Sequence, residues 1–154
     1  HGPATLRDFS WWTKLPLTAA RKALPLIEGE LETSGTLNDP AGEARFFQPG
    51  LLDEARAMRA ELDALFLLPG FDEIVLGCPD RSVLVGEQHH PRLVPGNNGT
   101  FQKSIVRRGR VIGTWKRGGR PGRRTLEIDG FAGVSKIARR EAERAHQRFP
   151  HLVG

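Results

Sequence analysis

The chain has one cysteine, Cys78. A lone thiol rules out an internal disulfide framework and fits a reducing cytoplasm, which is the expected location. No apolar stretch approaches the ~20 residues that a membrane-spanning helix needs, so no membrane partner is expected. No charged head followed by an apolar core marks a secretory leader. Internal repeats and low-complexity tails are also missing. The chain opens His1-Gly2-Pro3, without a methionine, and is expected to be a piece of a longer protein.

Signatures of catalysis and of metal binding are equally sparse. His89 and His90 are adjacent, and neighbours on a regular strand point to opposite sides, so they do not share one ion. A single cysteine makes no zinc motif with them. Neither a metal nor a cofactor is expected. Nothing in the sequence signals a histidine and base to activate Cys78. Ser82, Ser104 and Ser135 lie in no nucleophile-elbow pattern. Gly118-Gly119-Arg120-Pro121-Gly122 lacks the Lys-Ser/Thr of a phosphate-binding loop and opens no helix; it reads as a flexible basic loop. Asp72-Glu73 stands in a strongly apolar setting. Such a pair is either an acid, base or ion ligand near a site or a turn carboxylate accepting backbone N–H bonds, and the second reading is favoured.

What the chain does have is charge of one sign in one place. Between Gln102 and Arg124 it carries Lys103, Arg107, Arg108, Arg110, Lys116, Arg117, Arg120, Arg123 and Arg124, and no Asp or Glu. Elsewhere the two signs are close to balance, so the net +5 comes from this run. Ile105-Val106 and Val111-Ile112 flank Arg107-Arg108-Gly109-Arg110, which predicts a β-hairpin with a basic tip. Trp115 extends the second strand as a core residue. A basic hairpin suits a polyanion, because each cation that neutralises a phosphate releases counterions. The expected partner is duplex DNA. The expected contacts are Arg107, Arg108, Arg110, Lys116, Arg117, Arg120, Arg123 and Arg124, gathered on one open face. Replacing Arg107, Arg108 and Arg110 together by Ala is expected to weaken DNA binding more than tenfold.

Around this run the chain alternates short helices and strands. Thr5 and Asp8 predict a reciprocal cap, followed by a short helix. Leu15-Pro16-Leu17 breaks it, and Thr18 is expected to cap a second helix, Ala19 to Leu24, ended or kinked at Pro25. Gly29 stops that helix and a half-exposed strand follows through Leu31 and Thr33. Helix, turn, helix, strand is the order of a winged helix, whose second helix would present Arg21 and Lys22 to a major groove. Glu28, Glu30 and Glu32 would repel phosphate there. Asn38-Asp39-Pro40-Ala41-Gly42 is a turn cluster. Leu51, Ala55, Met58, Leu62 and Leu65 form one apolar stripe, which predicts a helix from Leu51 to Phe66. Leu67–Gly77 is expected to form a turn and then a strand, and further strands are expected at Val83–Val85 and through Leu126, Ile128 and Phe131. Ser135 caps a last helix, running to about Phe149, with Ile137, Ala138, Ala142, Ala145 and Phe149 inward and Lys136, Arg139, Arg140, Arg144 and Arg148 on a basic outer face tempered by Glu141 and Glu143.

The predicted class is α+β: a winged helix-turn-helix (residues 1–48), a connecting helix (49–66), and a small antiparallel β-rich part with a basic hairpin and a C-terminal helix (67–154).

Several stretches together resemble a known family. They are His1-Gly2-Pro3-Ala4-Thr5, Asp8-Phe9-Ser10-Trp11-Trp12 and Leu15-Pro16-Leu17-Thr18, then Leu67-Leu68-Pro69-Gly70-Phe71-Asp72-Glu73 with Asp80-Arg81-Ser82, Asn98-Gly99, and Gly109-Arg110-Val111-Ile112-Gly113-Thr114-Trp115. They resemble bacterial winged helix DNA-binding domain-containing proteins, which are related to interstrand-crosslink DNA glycosylases. The resemblance implies stacked winged helices, contact with duplex DNA, and a chain much longer than this one, with further winged-helix sequence before His1. The glycosylase branch has a catalytic pair of glutamines separated by one apolar residue. Gln48, Gln88, Gln102 and Gln147 stand alone here, so no catalytic residue carries over. The first expectation is therefore a DNA-binding fragment that grips duplex DNA through hairpin and winged helix. The alternatives are the non-catalytic C-terminal half of a glycosylase acting on alkylated or crosslinked DNA, and a winged-helix protein-interaction module.

Overall fold

The computed structural model describes residues 2–34, 43–77, 79–120, 123–131 and 134–148. The chain divides into two units, His1–Arg59 with Leu76–Pro79, and Ala60–Val75 with Asp80–Gly154. Cys78, the turn cluster Asn38–Gly42, the dipeptide Pro121-Gly122 and Phe149 lie outside the described residues.

The first unit begins with α1 (Leu6–Thr13), and its start is fixed locally. The Thr5 hydroxyl accepts from the Asp8 amide at 3.1 Å, and the Asp8 carboxylate accepts from the Thr5 amide at 2.9 Å. This is the reciprocal cap the sequence predicts. Lys14 ends the helix in the left-handed region, with its ammonium 4.2 Å from the Trp11 ring. α2 (Leu17–Ile27) follows, with Ala20 buried. It departs from expectation twice. Pro16 and not Thr18 occupies its N-cap, and the helix passes through Pro25 to Ile27. Proline removes one N–H from the helical ladder, yet only the last turn lies beyond it, so the helix is not stopped. A tight turn, Glu28–Glu30, leads to β1 (Glu32–Ser34), which pairs antiparallel with β2 (Arg45–Phe47). Ala4 bridges Phe46 on the other side of β2. α3 (Leu51–Ala57) closes the unit.

The helix expected from Leu51 to Phe66 is broken. α3 stops at Met58, a four-residue helix α4 (Arg59–Leu62) follows, and Leu65–Leu68 is strand β3. The cause is tertiary: β3 pairs antiparallel with β4 (Ser104–Arg107), Leu65 opposite Arg107 and Leu68 opposite Ser104. Met58 and Leu62, inner positions of the expected stripe, are exposed.

The second unit is an antiparallel sheet in the order β3, β4, β5 (Arg110–Arg120), β6 (Arg123–Gly130). One face buries Leu67, Ile105 and Trp115 against Ala142 of α7 (Lys136–Arg148). The other face buries Leu68, Val106 and Val111 among Val75, Val85, Leu93, Val94 and Phe131. The Trp115 indole N–H donates to the Leu68 carbonyl at 2.9 Å, which satisfies the one polar atom of a fully buried ring. Ser135 caps α7 as expected, its hydroxyl accepting from the Ala138 amide. Ile137, expected inward, is 65% exposed, and His146, not among the expected inward residues, is buried four positions beyond Ala142.

Two expected strands are helical turns instead. Residues Glu73–Leu76 form α5, begun by the Asp72 carboxylate accepting from the Ile74 amide. At Val83–Val85, the Leu84 and Val85 amides both donate to the Arg81 carbonyl, while Asp80 accepts from the Ser82 amide. Local Asp-centred bonding outcompetes the β-branched residues in both places. A short helix α6 (His90–Leu93) precedes the sheet's second strand. The α+β class holds.

Candidate nucleic-acid interface

The basic run folds as two hairpins and not one hairpin plus a loop. The first joins β4 to β5, with Arg107 opposite Arg110. Its two-residue turn has Arg108 at φ 52 and Gly109 at φ 69, the positive values that a tight hairpin matching the strand twist demands. The second joins β5 to β6, with Arg120 opposite Arg123 and Gly119 opposite Arg124. Gly118, Gly119 and Arg120, expected in a flexible loop, belong to β5. Gly119 has φ 78, and a Cβ there would collide with the Arg123 carbonyl, so the close approach of β6 depends on glycine.

This topology divides the expected contacts. β5 is eleven residues long, so its ends are about 33 Å apart at ~3.3 Å per residue. Arg107, Arg108 and Arg110 lie at one end, and Arg120, Arg123 and Arg124 at the other. The single open face expected of all of them does not form.

The two ends also differ in charge environment. The Arg107 guanidinium is half-buried and lies 3.4 Å from the Glu141 carboxylate of α7. Arg108 lies 3.4 Å from Asp63. Arg110 alone of the three is exposed without an ion pair among the described residues. At the other end Arg120, Arg123 and Arg124 are all exposed, and none has an acidic partner among the described residues. Between the ends, Arg117 is half-buried, 6.0 Å from the Trp115 ring. Lys116 is exposed but stands opposite Glu127.

Lys116 and Glu127 also line a cleft of about 520 Å³ with Arg92, Gln102 and Asp129. Arg92 grips Asp129 through Nη2 and through Nε at 3.3 Å, and donates to the Gly130 carbonyl at 3.1 Å. Its guanidinium also covers the Phe131 ring at 4.7 Å. Arg92 is thus a tie between α6 and the end of β6. The sequence offers no signal for it, since Arg92 and Asp129 are brought together only by the sheet.

In the first unit, Arg21 and Lys22 are exposed on α2, and the Glu32 carboxylate accepts from the Gly50 amide at 3.2 Å. The remaining candidates behave as structural groups. His89 stacks on Phe131 at 5.0 Å, Ser104 is fully buried, and Asp72 serves the turn described above. Among the described residues no group of three His, Cys, Asp or Glu side chains is placed to hold a metal ion. Among them, too, no helix is long and apolar enough to cross a membrane.

An α+β chain with arginine-tipped hairpins has clear relatives. The model of the family described as "DNA glycosylase AlkZ-like" matches residues 1–152, and the chain belongs to that family. It is 29% identical over 116 residues to an interstrand DNA cross-link repair glycosylase of Streptomyces sahachiroi, a match that covers 75% of this chain and 31% of the relative. The solved structure of the Streptomyces sahachiroi DNA glycosylase AlkZ superposes with a TM-score of 0.73 at 25% identity, covering 94% of this chain and 37% of that one. The chain therefore spans about a third of the length of the relatives it matches. The resemblance read from Leu67–Glu73, Gly109–Trp115 and the other stretches is borne out.

Proposed function

We propose that this chain is the DNA-gripping, non-catalytic part of a DNA glycosylase that acts on alkylated or crosslinked DNA. The observation that carries the reading is the family match over residues 1–152, with a cross-link repair glycosylase among the relatives. Excising a base requires a group that stabilises the sugar as the base leaves. The resemblance assigns that task to a glutamine pair, and no two glutamines here are separated by one residue. The chain's contribution is then positioning: cations to hold phosphate and fix the register of the duplex.

The cations best suited to this are Arg120, Arg123 and Arg124, whose charges are not cancelled nearby. Arg110 and Lys116 assist. Arg107 and Arg108 are tied to Glu141 and Asp63 and chiefly hold the first hairpin in place. In the first unit, α1, α2 and the β1–β2 pair follow the order of a winged helix, with Arg21 and Lys22 on the helix that would face a major groove.

Titrating the 154-residue chain into labelled duplex, and incubating it with alkylated and crosslinked duplexes, tests both halves of the proposal. Expected are salt-sensitive binding and no abasic sites. Absence of binding at low salt would remove the gripping role, and base release by this chain alone would show that it carries catalytic residues. An excision assay on the longest protein containing this chain should yield abasic sites.

A further inference from the structure

We infer that α7 carries a second phosphate-binding rail for duplex DNA, formed by Lys136, Arg140, Arg144 and Arg148. The inference rests on the DNA-gripping reading and adds a surface that the hairpins do not supply. The four residues recur every fourth position, so they step about 6 Å at a time along one side of the helix. The helix turns Ala138, Ala142 and His146 into the core, which puts the four cations on the side away from it. All four are exposed, and none has an acidic partner among the described residues. Two carboxylates share the helix: Glu141 is held by Arg107 at 3.4 Å, and Glu143 is exposed and forms no ion pair among the described residues.

Helix stability explains little of the pattern: Glu143 and Glu141 stand three residues from Arg140 and Arg144, but neither spacing closes to an ion pair among the described residues. Like charges four residues apart destabilise a helix, and α7 has three such pairs in succession. Cations near a helix C-terminus are favoured by the dipole and near the N-terminus disfavoured. That accounts for Arg148 but runs against Lys136 in the first turn, which contains no acidic residue. Phosphate offers each of these charges what the fold does not. The rail is about 18 Å long, a length over which one DNA strand presents about five phosphates.

Its placement complements the hairpins. Glu141 pairs with Arg107 at the Arg110 end of β5, while the His146 ring lies edge-on to Trp115, 5.9 Å away, farther along that strand. α7 therefore runs in the direction of β5, away from the neutralised tip and toward the end that carries Arg120. An anionic membrane is the poorer fit. A membrane-surface helix buries an apolar face in lipid, and the apolar face of α7 is already in the core.

The test compares the 154-residue chain with a triple variant, Lys136→Gln, Arg140→Gln and Arg144→Gln, by duplex titration at several salt concentrations. The variant should bind at least fivefold more weakly, and the slope of log K against log salt should shrink by about 2.7, at ~0.9 per lost phosphate contact. Its thermal midpoint should be unchanged or higher, because like charges have been removed. A Lys136→Arg, Arg140→Lys and Arg144→Lys variant should keep the parent's slope. Affinity within twofold of the parent, or a slope that does not move, would overturn the rail while leaving the DNA reading intact. A parent that binds no duplex would overturn both. Binding to anionic vesicles in preference to duplex would also overturn the rail.

Discussion

The two ends of β5 carry the same three-arginine endowment and differ in what surrounds it. At the Arg110 end, Asp63 and Glu141 arrive from other elements and pair with Arg108 and Arg107. At the Arg120 end no carboxylate reaches the arginines among the described residues. A count of basic residues treats the ends as equals, yet what reaches a phosphate is the charge left after the fold's own acids are subtracted. On the proposed reading, one tip is a structural clasp and the other a polyanion contact.

Trp115 lies midway along β5, buried and hydrogen-bonded to Leu68, so both ends depend on it. Trp115→Ala should cost about 3–5 kcal/mol, read as an early urea midpoint, and both tips should lose function together. Replacing Arg120, Arg123 and Arg124 by Ala should leave the urea midpoint unchanged and weaken duplex binding more than tenfold. Replacing Arg107, Arg108 and Arg110 by Ala should do the reverse. With Glu141 and Asp63 unpaired, stability should drop by about 1 kcal/mol, a modest value because Arg108 is well exposed and screened by solvent. DNA affinity should fall by less than threefold, which revises the tenfold loss expected from charge alone. Gly109→Ala, at φ 69, should cost about 1–2 kcal/mol through left-handed strain and loosen only the first tip. Thr5→Ala, in the first unit, should cost about 1 kcal/mol by removing the α1 cap, with no change in duplex affinity.

What was legible in the sequence was what is decided within a few residues. The Thr5–Asp8 and Ser135 caps and the Arg107–Arg110 turn are all of this kind, since donor and acceptor sit side by side in the chain. What was not legible needed a distant partner. Leu65–Leu68 continues a helical stripe on paper and becomes a strand because β4 pairs with it. Gly118-Gly119-Arg120 looks like a loop until β6 pairs with it. The same holds for the candidate site. Its arginines were visible, but Asp63 and Glu141 lie far from the basic run in sequence, and only the folded sheet brings them to one tip and not the other. The basic face of α7 was visible; the direction in which it runs came from Glu141 and His146.

The most direct measurement is a side-by-side duplex titration of the two tip variants at two salt concentrations. The account predicts that the Arg120, Arg123 and Arg124 variant loses more than tenfold in affinity and flattens the salt dependence, while the Arg107, Arg108 and Arg110 variant stays within threefold of the parent. The opposite ranking, with the paired tip mattering more than the unpaired one, would contradict it.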